Sequence, residues 1–258
     1  MVFITTKRVC FEKTGERGLF GLITTGSMGS GKSAYAIKAL AQLYGKLKVE
    51  EREDGTRDLV LEEPNWDAWE KWLVFPPEDF AAKLEEAASA ERPFPCLVWD
   101  DAGAWANKYI WYTPVAQRIA NWFNTGRMSF SCIIFTTPDE DDLFTGIRNL
   151  RDNHLGKVAK VTGNPSDQWV RRNTVYQRWK SIDGKKHGVR KIYVDRYQCR
   201  LPDSVYESYR LVRKEYTKML VDMIKRDMDE DRAKRSQYFD SFLKMVKARG
   251  YEDGAATV

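Results

Sequence analysis

Glycines at positions 26, 29 and 31 precede Lys32 and Ser33 in the segment GSMGSGKS, which fits the spacing G-x-x-x-x-G-K-[ST]. Such a loop lets backbone N–H groups turn inward around phosphate oxygens, and a following helix adds the partial positive charge of its N-terminus. The lysine then reaches the β- and γ-phosphates, and the serine hydroxyl binds Mg2+. We predict that ATP is bound by Gly26, Ser27, Met28, Gly29, Ser30, Gly31, Lys32 and Ser33.

The segments on either side supply the context that this loop needs. Residues 19–25, LFGLITT, are an apolar run typical of a buried strand, and residues 34–44, AYAIKALAQLY, have apolar spacing typical of a helix. The alternative is a glycine turn before a purely structural helix. The order strand, loop, helix favours phosphate binding.

A pair of carboxylates follows a second apolar run, CLVWDDAG at 96–103. Open α/β sheets build their sites at the carboxyl ends of strands. Asp100 is therefore predicted to hold the Mg2+ shell together with Ser33, and Asp101 to act as the general base toward the attacking water. The alternative is that the two aspartates cap a helix or lie in solvent.

The remaining segments predict the fold that positions these residues. Strands are expected at 72–77, 132–138 and 157–163, and helices at 78–90, 114–125 and 139–152. Strands that alternate with helices indicate βαβ units and a mainly parallel sheet with helices on both faces. Residues 1–163 are therefore predicted to form an α/β phosphate-loop NTPase domain.

These motifs carry a family resemblance. GSMGSGKS, LVWDDAG and CIIFTTP followed by an Arg-bearing helix resemble the Walker A and Walker B ATPases that insert a strand between the two phosphate motifs. Within that group the chain looks most like the AAA+ helicase loaders and initiators. It has a more distant likeness to the FtsK/HerA and filamentous-phage assembly ATPases, and the texture of its C-terminal third resembles ATPases of archaeal viruses and plasmids.

The resemblance implies further roles. Thr136 or Thr137 would be the polar sensor of the γ-phosphate, and Arg148 or Arg151 an arginine finger offered to a neighbouring subunit, with Arg127 as the rival candidate. Two departures stand out. Asp101 occupies a position where many hydrolysing members have Glu, and no helical lid with a sensor arginine is recognisable after residue 163.

Positive charge is concentrated in residues 168–200, which hold ten Lys and Arg against two Asp, a local balance of +8 in a chain of net charge +5. Polar and aromatic residues alternate there around a turn, which predicts a β-hairpin within residues 164–202. The alternative is a hairpin whose basic face is only solvated. The predicted DNA contacts are Arg171, Arg172, Arg178, Lys180, Lys185 and Lys186.

Residues 203–258 are predicted to be a helical region. A single helix over 203–249 would extend about 70 Å at 1.5 Å per residue. That length exceeds one face of the preceding domain, so we expect either a break or a protein partner for this segment.

The composition limits the other possibilities. No apolar run approaches the ~20 residues needed to span a bilayer, the N-terminus lacks a secretory pattern, and the four cysteines and two histidines show no zinc spacing. A cytoplasmic protein is expected.

The residues leave two main hypotheses for function. The first is an ATPase that acts on DNA as a ring or filament of identical subunits, in loading, translocation, replication or packaging. The second is a slow switch that recruits a replication, transposition or transcription partner when ATP is bound. A small-molecule kinase is disfavoured, since no Arg-rich lid or second substrate site is recognisable.

Overall fold

The computed structural model describes residues 2–12, 19–106, 114–125, 129–148, 153–161, 168–181 and 187–248. The helices are α1 (Ile4–Glu12), α2 (Lys32–Leu43), α3 (Ala68–Trp72), α4 (Pro77–Ala88), α5 (Ala102–Trp105), α6 (Pro114–Thr125), α7 (Thr145–Arg148) and α8 (Asp203–Ala248). The strands are β1 (Phe20–Thr25), β2 (Lys46–Glu51), β3 (Arg57–Glu63), β4 (Leu73–Val74), β5 (Leu97–Trp99), β6 (Cys132–Thr136), β7 (Asn153–Lys160), β8 (Val170–Lys180) and β9 (His187–Gln198). By its internal contacts the chain divides into two compact units, Met1–Val205 and Tyr206–Val258.

A seven-stranded sheet runs through the first unit in the order β4-β5-β6-β1-β7-β8-β9. Strands β4, β5, β6, β1 and β7 are parallel, and β8 and β9 continue the sheet antiparallel. The fold is α/β with a mainly parallel sheet, as the sequence predicts. Strand β6 lies between β1 and β5, with Leu22 and Val98 both in register with Ile134. The chain thus has the strand that the resemblance inserts between the two phosphate motifs.

The strands that lead into the phosphate motifs are buried along their full length. They carry apolar side chains toward both faces, as strands of a parallel sheet covered by helices do. Trp99 of β5 stacks on Phe80 of α4 with 4.2 Å between ring centroids. This packing anchors the carboxyl end of β5, at the edge of the sheet where ligands bind in open α/β folds.

The predicted hairpin is part of the same sheet. Strands β8 and β9 pair antiparallel from Val170↔Gln198 to Lys180↔His187, and β8 also pairs with β7. The strands β2 and β3 form a separate two-stranded sheet in the charged segment after α2. The predicted domain limits at 163 and 202 stay predictions.

Within the described residues, the helix predicted over 139–152 is present only at Thr145–Arg148 and is wrong before it. A 3-10 turn spans Glu140–Asp142 and only the four residues of α7 are α-helical. The Asp139 carboxylate accepts from the backbone N–H of Asp141 at 3.0 Å, and the Asp142 carboxylate accepts from the N–H of Asp139 at 3.2 Å. Such a capping box starts a helical turn, and the interruption comes after it, where Leu143 returns to extended backbone with φ −78° and ψ 143°.

The C-terminal helix α8 runs for 46 residues without the predicted break. Ion pairs one turn apart, Arg210 with Glu207 and Lys225 with Asp222, accompany it. A partner for this segment stays a prediction. Among the described residues, no helix combines the length and the apolar character that crossing a membrane requires.

Candidate nucleotide-binding site

The loop between β1 and α2 has a backbone that only glycine adopts readily. The φ angles of Gly26, Gly29 and Gly31 are +148°, +71° and +99°, values that side chains with a Cβ rarely accept. A Cβ on Gly26 would also lie 2.7 Å from the carbonyl oxygen of Val158 and 2.8 Å from the Ser30 hydroxyl. The glycines therefore give the loop its inward turn.

Lys32 begins α2 and lies within this loop. Its Nζ donates to the carbonyl oxygen of Gly26 at 2.8 Å and to that of Ser27 at 3.2 Å, and the residue is buried. The loop thus wraps its own cation. Ser30 contributes a buried hydroxyl that makes no hydrogen bond within the described part of the chain, which suits it to a phosphate oxygen.

Three side chains meet where β5, β6 and α2 end or begin. The Asp100 carboxylate is fully buried, and its Oδ1 accepts from the Ser33 hydroxyl at 2.9 Å and from the Thr136 hydroxyl. The structure therefore brings together the two predicted metal ligands and one predicted sensor. A hydroxyl and a carboxylate this close fit Mg2+, which takes oxygen ligands, usually keeps several waters and binds substrate phosphates.

Asp101 has an unusual backbone. With φ 53° and ψ 35° it lies in the left-handed region, as no other described non-glycine residue does. Its N–H donates to the Thr136 hydroxyl at 3.0 Å, and its side chain is half-buried. Aspartate and asparagine tolerate this conformation better than most residues. The turn separates the two aspartates: Asp100 is buried, and Asp101 directly precedes α5.

Thr136, which ends β6, and Thr137, which directly follows it, have different surroundings. Thr136 contacts Asp100, whereas the Thr137 hydroxyl donates to the carbonyl oxygen of Asp139 at 2.9 Å and lies 3.4 Å from the Asp142 carboxylate. Successive residues of a strand point to opposite faces, so only Thr136 joins the site. Thr137 supports the turn after the strand.

The candidate fingers lie beyond this cluster. Arg148 forms an ion pair with Asp141, and its carbonyl oxygen accepts from Arg178 at 3.2 Å. Arg127 and Arg151 lie outside the described residues.

One residue of β8 and one of β9 donate hydrogen bonds to the backbone of the phosphate loop, a role that the sequence does not predict. Arg171 donates through Nε to the carbonyl oxygen of Ser30 at 3.1 Å, and Tyr197 donates to that of Gly31 at 3.0 Å. Both are buried, and burial raises the pKa of Tyr197, which keeps its hydroxyl protonated. A Cβ on Gly31 would lie 3.1 Å from the Cβ of Cys199. No short motif signals this contact, because it depends on the pairing of distant strands.

The other predicted DNA contacts are spread over the same strands. Arg172 is exposed, and Arg178 is half-buried in an ion pair with Glu140. Lys180 ends β8, and Lys185 and Lys186 lie outside the described residues. Arg171 is 5% exposed and also donates to the carbonyl oxygens of Gln168 and Val170. A DNA contact by Arg171 would require it to give up these bonds.

Tyr197→Phe is expected to weaken ATP binding about fivefold, since it removes one neutral hydrogen bond, worth ~1 kcal/mol, that orients the loop. Calorimetric titration with ATP measures this. Tyr193→Phe is the matched control, because it removes a hydroxyl from the same strand that contacts Thr5 at 2.9 Å and not the loop. Equal affinities in the two variants would show that Tyr197 does not position the loop.

No known family model matches the chain. Protein B-251 of Sulfolobus spindle-shape virus 1, an uncharacterized protein, is 27% identical over 243 residues, which cover 89% of this chain and 87% of that protein.

Two solved structures are also similar to the chain. One is the N-terminal domain of zonular occludens toxin from Neisseria meningitidis, with a TM-score of 0.36 and 13% identity, covering 74% of this chain and 98% of that one. The other is the genome packaging NTPase B204 from Sulfolobus turreted icosahedral virus 2 in complex with AMPPCP, with a TM-score of 0.32 and 12% identity, covering 68% and 98%. At these TM-scores, the assignment of the fold rests on the strand order and loop of this chain itself.

Proposed function

We propose that this protein binds and hydrolyses ATP with Mg2+ and couples hydrolysis to work on DNA as an oligomer. The observation that carries the proposal is the contact between the Ser33 hydroxyl and the buried Asp100 carboxylate, beside a glycine loop that wraps Lys32. Phosphate loop, cation and paired oxygen ligands are the parts that phosphoryl transfer to water requires.

Each residue of the cluster has a role in this proposal. The N–H groups of the loop and the Lys32 amine bind and orient the triphosphate, and Ser33 and Asp100 hold Mg2+, which neutralises charge on the phosphates when bound. Asp101 accepts a proton from the attacking water, or orients it, at its half-buried carboxylate. Thr136 fixes both aspartates, since it contacts the side chain of one and the backbone of the other.

The DNA part of the proposal is supported by charge. The strands β8 and β9 lie in the segment of +8 local balance, and lysines and arginines that neutralise phosphates supply most of the affinity of non-specific DNA binding.

This function is tested by measuring phosphate release with and without single-stranded and duplex DNA. Light scattering on the same samples gives the oligomeric state. We expect Mg2+-dependent turnover that DNA increases, from a species larger than one chain. A rate of ATP hydrolysis that depends neither on DNA nor on the oligomeric state would contradict the proposed DNA-linked function.

The second candidate is a slow ATP-dependent switch that recruits a protein partner. The short side chain of Asp101, in a position where many related ATPases have Glu, favours it. ATP-dependent capture of a protein partner with negligible ATP hydrolysis would favour the switch hypothesis over the DNA-linked ATPase.

If a neighbouring subunit supplies an arginine finger, ATPase activity per chain should rise with protein concentration. Arg148→Ala should then lower turnover by about a thousandfold without weakening ATP binding, because a finger contacts the transition state only. Mixing Arg148→Ala with Lys32→Ala protein should restore part of the activity, since each supplies what the other lacks. Arg210→Ala is a control, because it also removes an arginine from an ion pair.

An Arg148→Ala protein with full activity at every concentration would exclude this arginine as the finger. Arg151 and Arg127 would then be tested in the same way.

A further inference from the structure

The face of β7, β8 and β9 that points away from the phosphate loop is rich in lysine and arginine. Arg178 shares this face with Arg172 by alternation along β8, but it is half-buried in an ion pair with Glu140. Along β8, Arg171 points toward the loop, so Arg172 points to the opposite face.

Antiparallel pairing places Arg196 directly opposite Arg172 and Lys157 opposite Thr174 on that same face. A register shift between Val175 and Tyr176, where Ile192 of β9 has no partner on β8, brings Lys191 opposite Tyr176 on this face as well. We call Lys157, Arg172, Lys191 and Arg196 the outer basic face; all four are exposed.

The three strands contribute no carboxylate to this face, and Glu140, which reaches it from the 3-10 turn after β6, is paired with Arg178. The three strands contain a single acidic residue, Asp195. It lies on the inner face, buried, where it accepts from the N–H of Ile4 at 2.6 Å, the hydroxyl of Tyr35 at 2.8 Å and that of Thr5 at 2.9 Å. Its carboxylate therefore binds α1 and α2 on the inner face and does not pair with the lysines and arginines of the outer basic face.

The four cations also lack ion pairs within the described ranges. Exposed lysines elsewhere do find carboxylates, as Lys46 does with Glu63 and Lys71 with Glu86. Like charges directly opposite each other on paired strands are destabilising. The pair Arg172↔Arg196 keeps such an arrangement, which indicates that an anion from outside the chain offsets it.

The spacing of the face favours a polymer over a single anion. Neighbouring strands lie about 4.8 Å apart, and alternate residues along a strand about 6.8 Å apart, so four cations cover an area wider than one phosphate. We propose that the outer basic face binds the phosphate backbone of DNA. This inference rests on the proposed DNA-linked function and replaces part of the predicted contact set: Arg171 and Arg178 serve the fold, and Lys157, Lys191 and Arg196 join Arg172.

The test is a variant in which Lys157, Arg172, Lys191 and Arg196 are each replaced by Gln. Its matched control replaces Lys46, Lys48, Arg52 and Arg57 by Gln, which removes the same charge from exposed positions of the β2–β3 hairpin. Affinity for fluorescent duplex and single-stranded DNA is measured at several salt concentrations, and thermal unfolding checks that both variants fold.

We expect the outer-face variant to lose about tenfold or more in DNA affinity, whereas the control stays near the parent. The log–log salt slope should fall by roughly 0.9 per lost contact on duplex and about 0.7 on single strands. Equal losses in the two variants, or a parent that binds anionic phospholipid vesicles but not DNA, would overturn the inference. ATP hydrolysis by the parent is measured in parallel: its absence refutes the proposed ATPase, whereas its presence without DNA binding refutes only this surface.

Discussion

Lys32→Ala is expected to lower the affinity for ATP by about a hundredfold or more. Lys32 is the cation that the loop encloses, with Nζ 2.8 Å from the Gly26 carbonyl oxygen. Its loss removes charge-assisted hydrogen bonds to the triphosphate, each worth ~1.5–3 kcal/mol. Calorimetric titration with ATP and Mg2+ measures the change directly.

Lys38→Ala provides the matched control for this variant. Lys38 lies on the same helix, half-buried, with Nζ 5.2 Å from the ring centroid of Trp66. The control should bind ATP like the parent protein. Lys32→Met, which keeps most of the aliphatic stem, separates lost charge from lost packing. Unchanged affinity in both Lys32 variants would refute the site.

Asp101→Asn is expected to lower turnover by about a hundredfold to ten-thousandfold, with ATP affinity retained. In the proposed mechanism the substitution removes the proton acceptor and leaves Asp100 and Ser33 to hold the metal. Asparagine also tolerates the left-handed backbone that Asp101 adopts at φ 53°, so the turn should persist. Single-turnover phosphate release beside equilibrium ATP binding separates the two effects.

Asp67→Asn is the control for Asp101→Asn, because it makes the same change at an exposed residue that precedes α3. It should hydrolyse ATP at the parent rate. If Asp101→Asn also does so, another group activates the water and the role of Asp101 is structural.

The phosphate loop and its strand could be predicted from sequence because their signals are local. Gly26, Gly29 and Gly31 stand at the three loop positions where φ is positive, a conformation that favours glycine. The apolar strand before them is buried along its full length. The contact of Ser33 with Asp100 follows from the same logic. Asp100 follows β5 and Ser33 lies in the helix after β1, and the carboxyl ends of these parallel strands lie at one edge of the sheet with β6 between them. Helix α6 was likewise predicted with its observed bounds, Pro114–Thr125.

The role of Arg171 could not be predicted, because it depends on strand register. Shifting a strand by one residue moves every side chain to the other face, and a basic hairpin alone does not tell which arginines point outward. Pairing with β7 and β9 places Arg171 and Tyr197 on the face of the sheet that contacts the phosphate loop. Arg172 and Arg196 lie on the opposite face. From the sequence alone, Arg171 and Arg172 are predicted to have the same role, contact with DNA.

The helix predicted after β6 failed for a different reason. Asp139 and Asp142 form a capping box that starts a 3-10 turn, and Leu143 then returns to extended backbone with φ −78° and ψ 143°. Helix α1 was not predicted at all, since its hold on the fold is the bond from the N–H of Ile4 to Asp195, far away in the sequence. Hydrophobic periodicity reports neither the extended backbone at Leu143 nor the long-range bond to Asp195.

Amide hydrogen exchange of the full chain, with and without Mg2+ and a non-hydrolysable ATP analogue, tests most directly whether the Gly26–Ser33 loop is the nucleotide site. Backbone N–H groups that bind phosphate oxygens should exchange more slowly. We expect the largest slowing in peptides that cover residues 26–33, and a second effect around Asp100 and Thr136. Failure to bind the analogue, or binding that leaves exchange at residues 26–33 unchanged, would contradict the assignment.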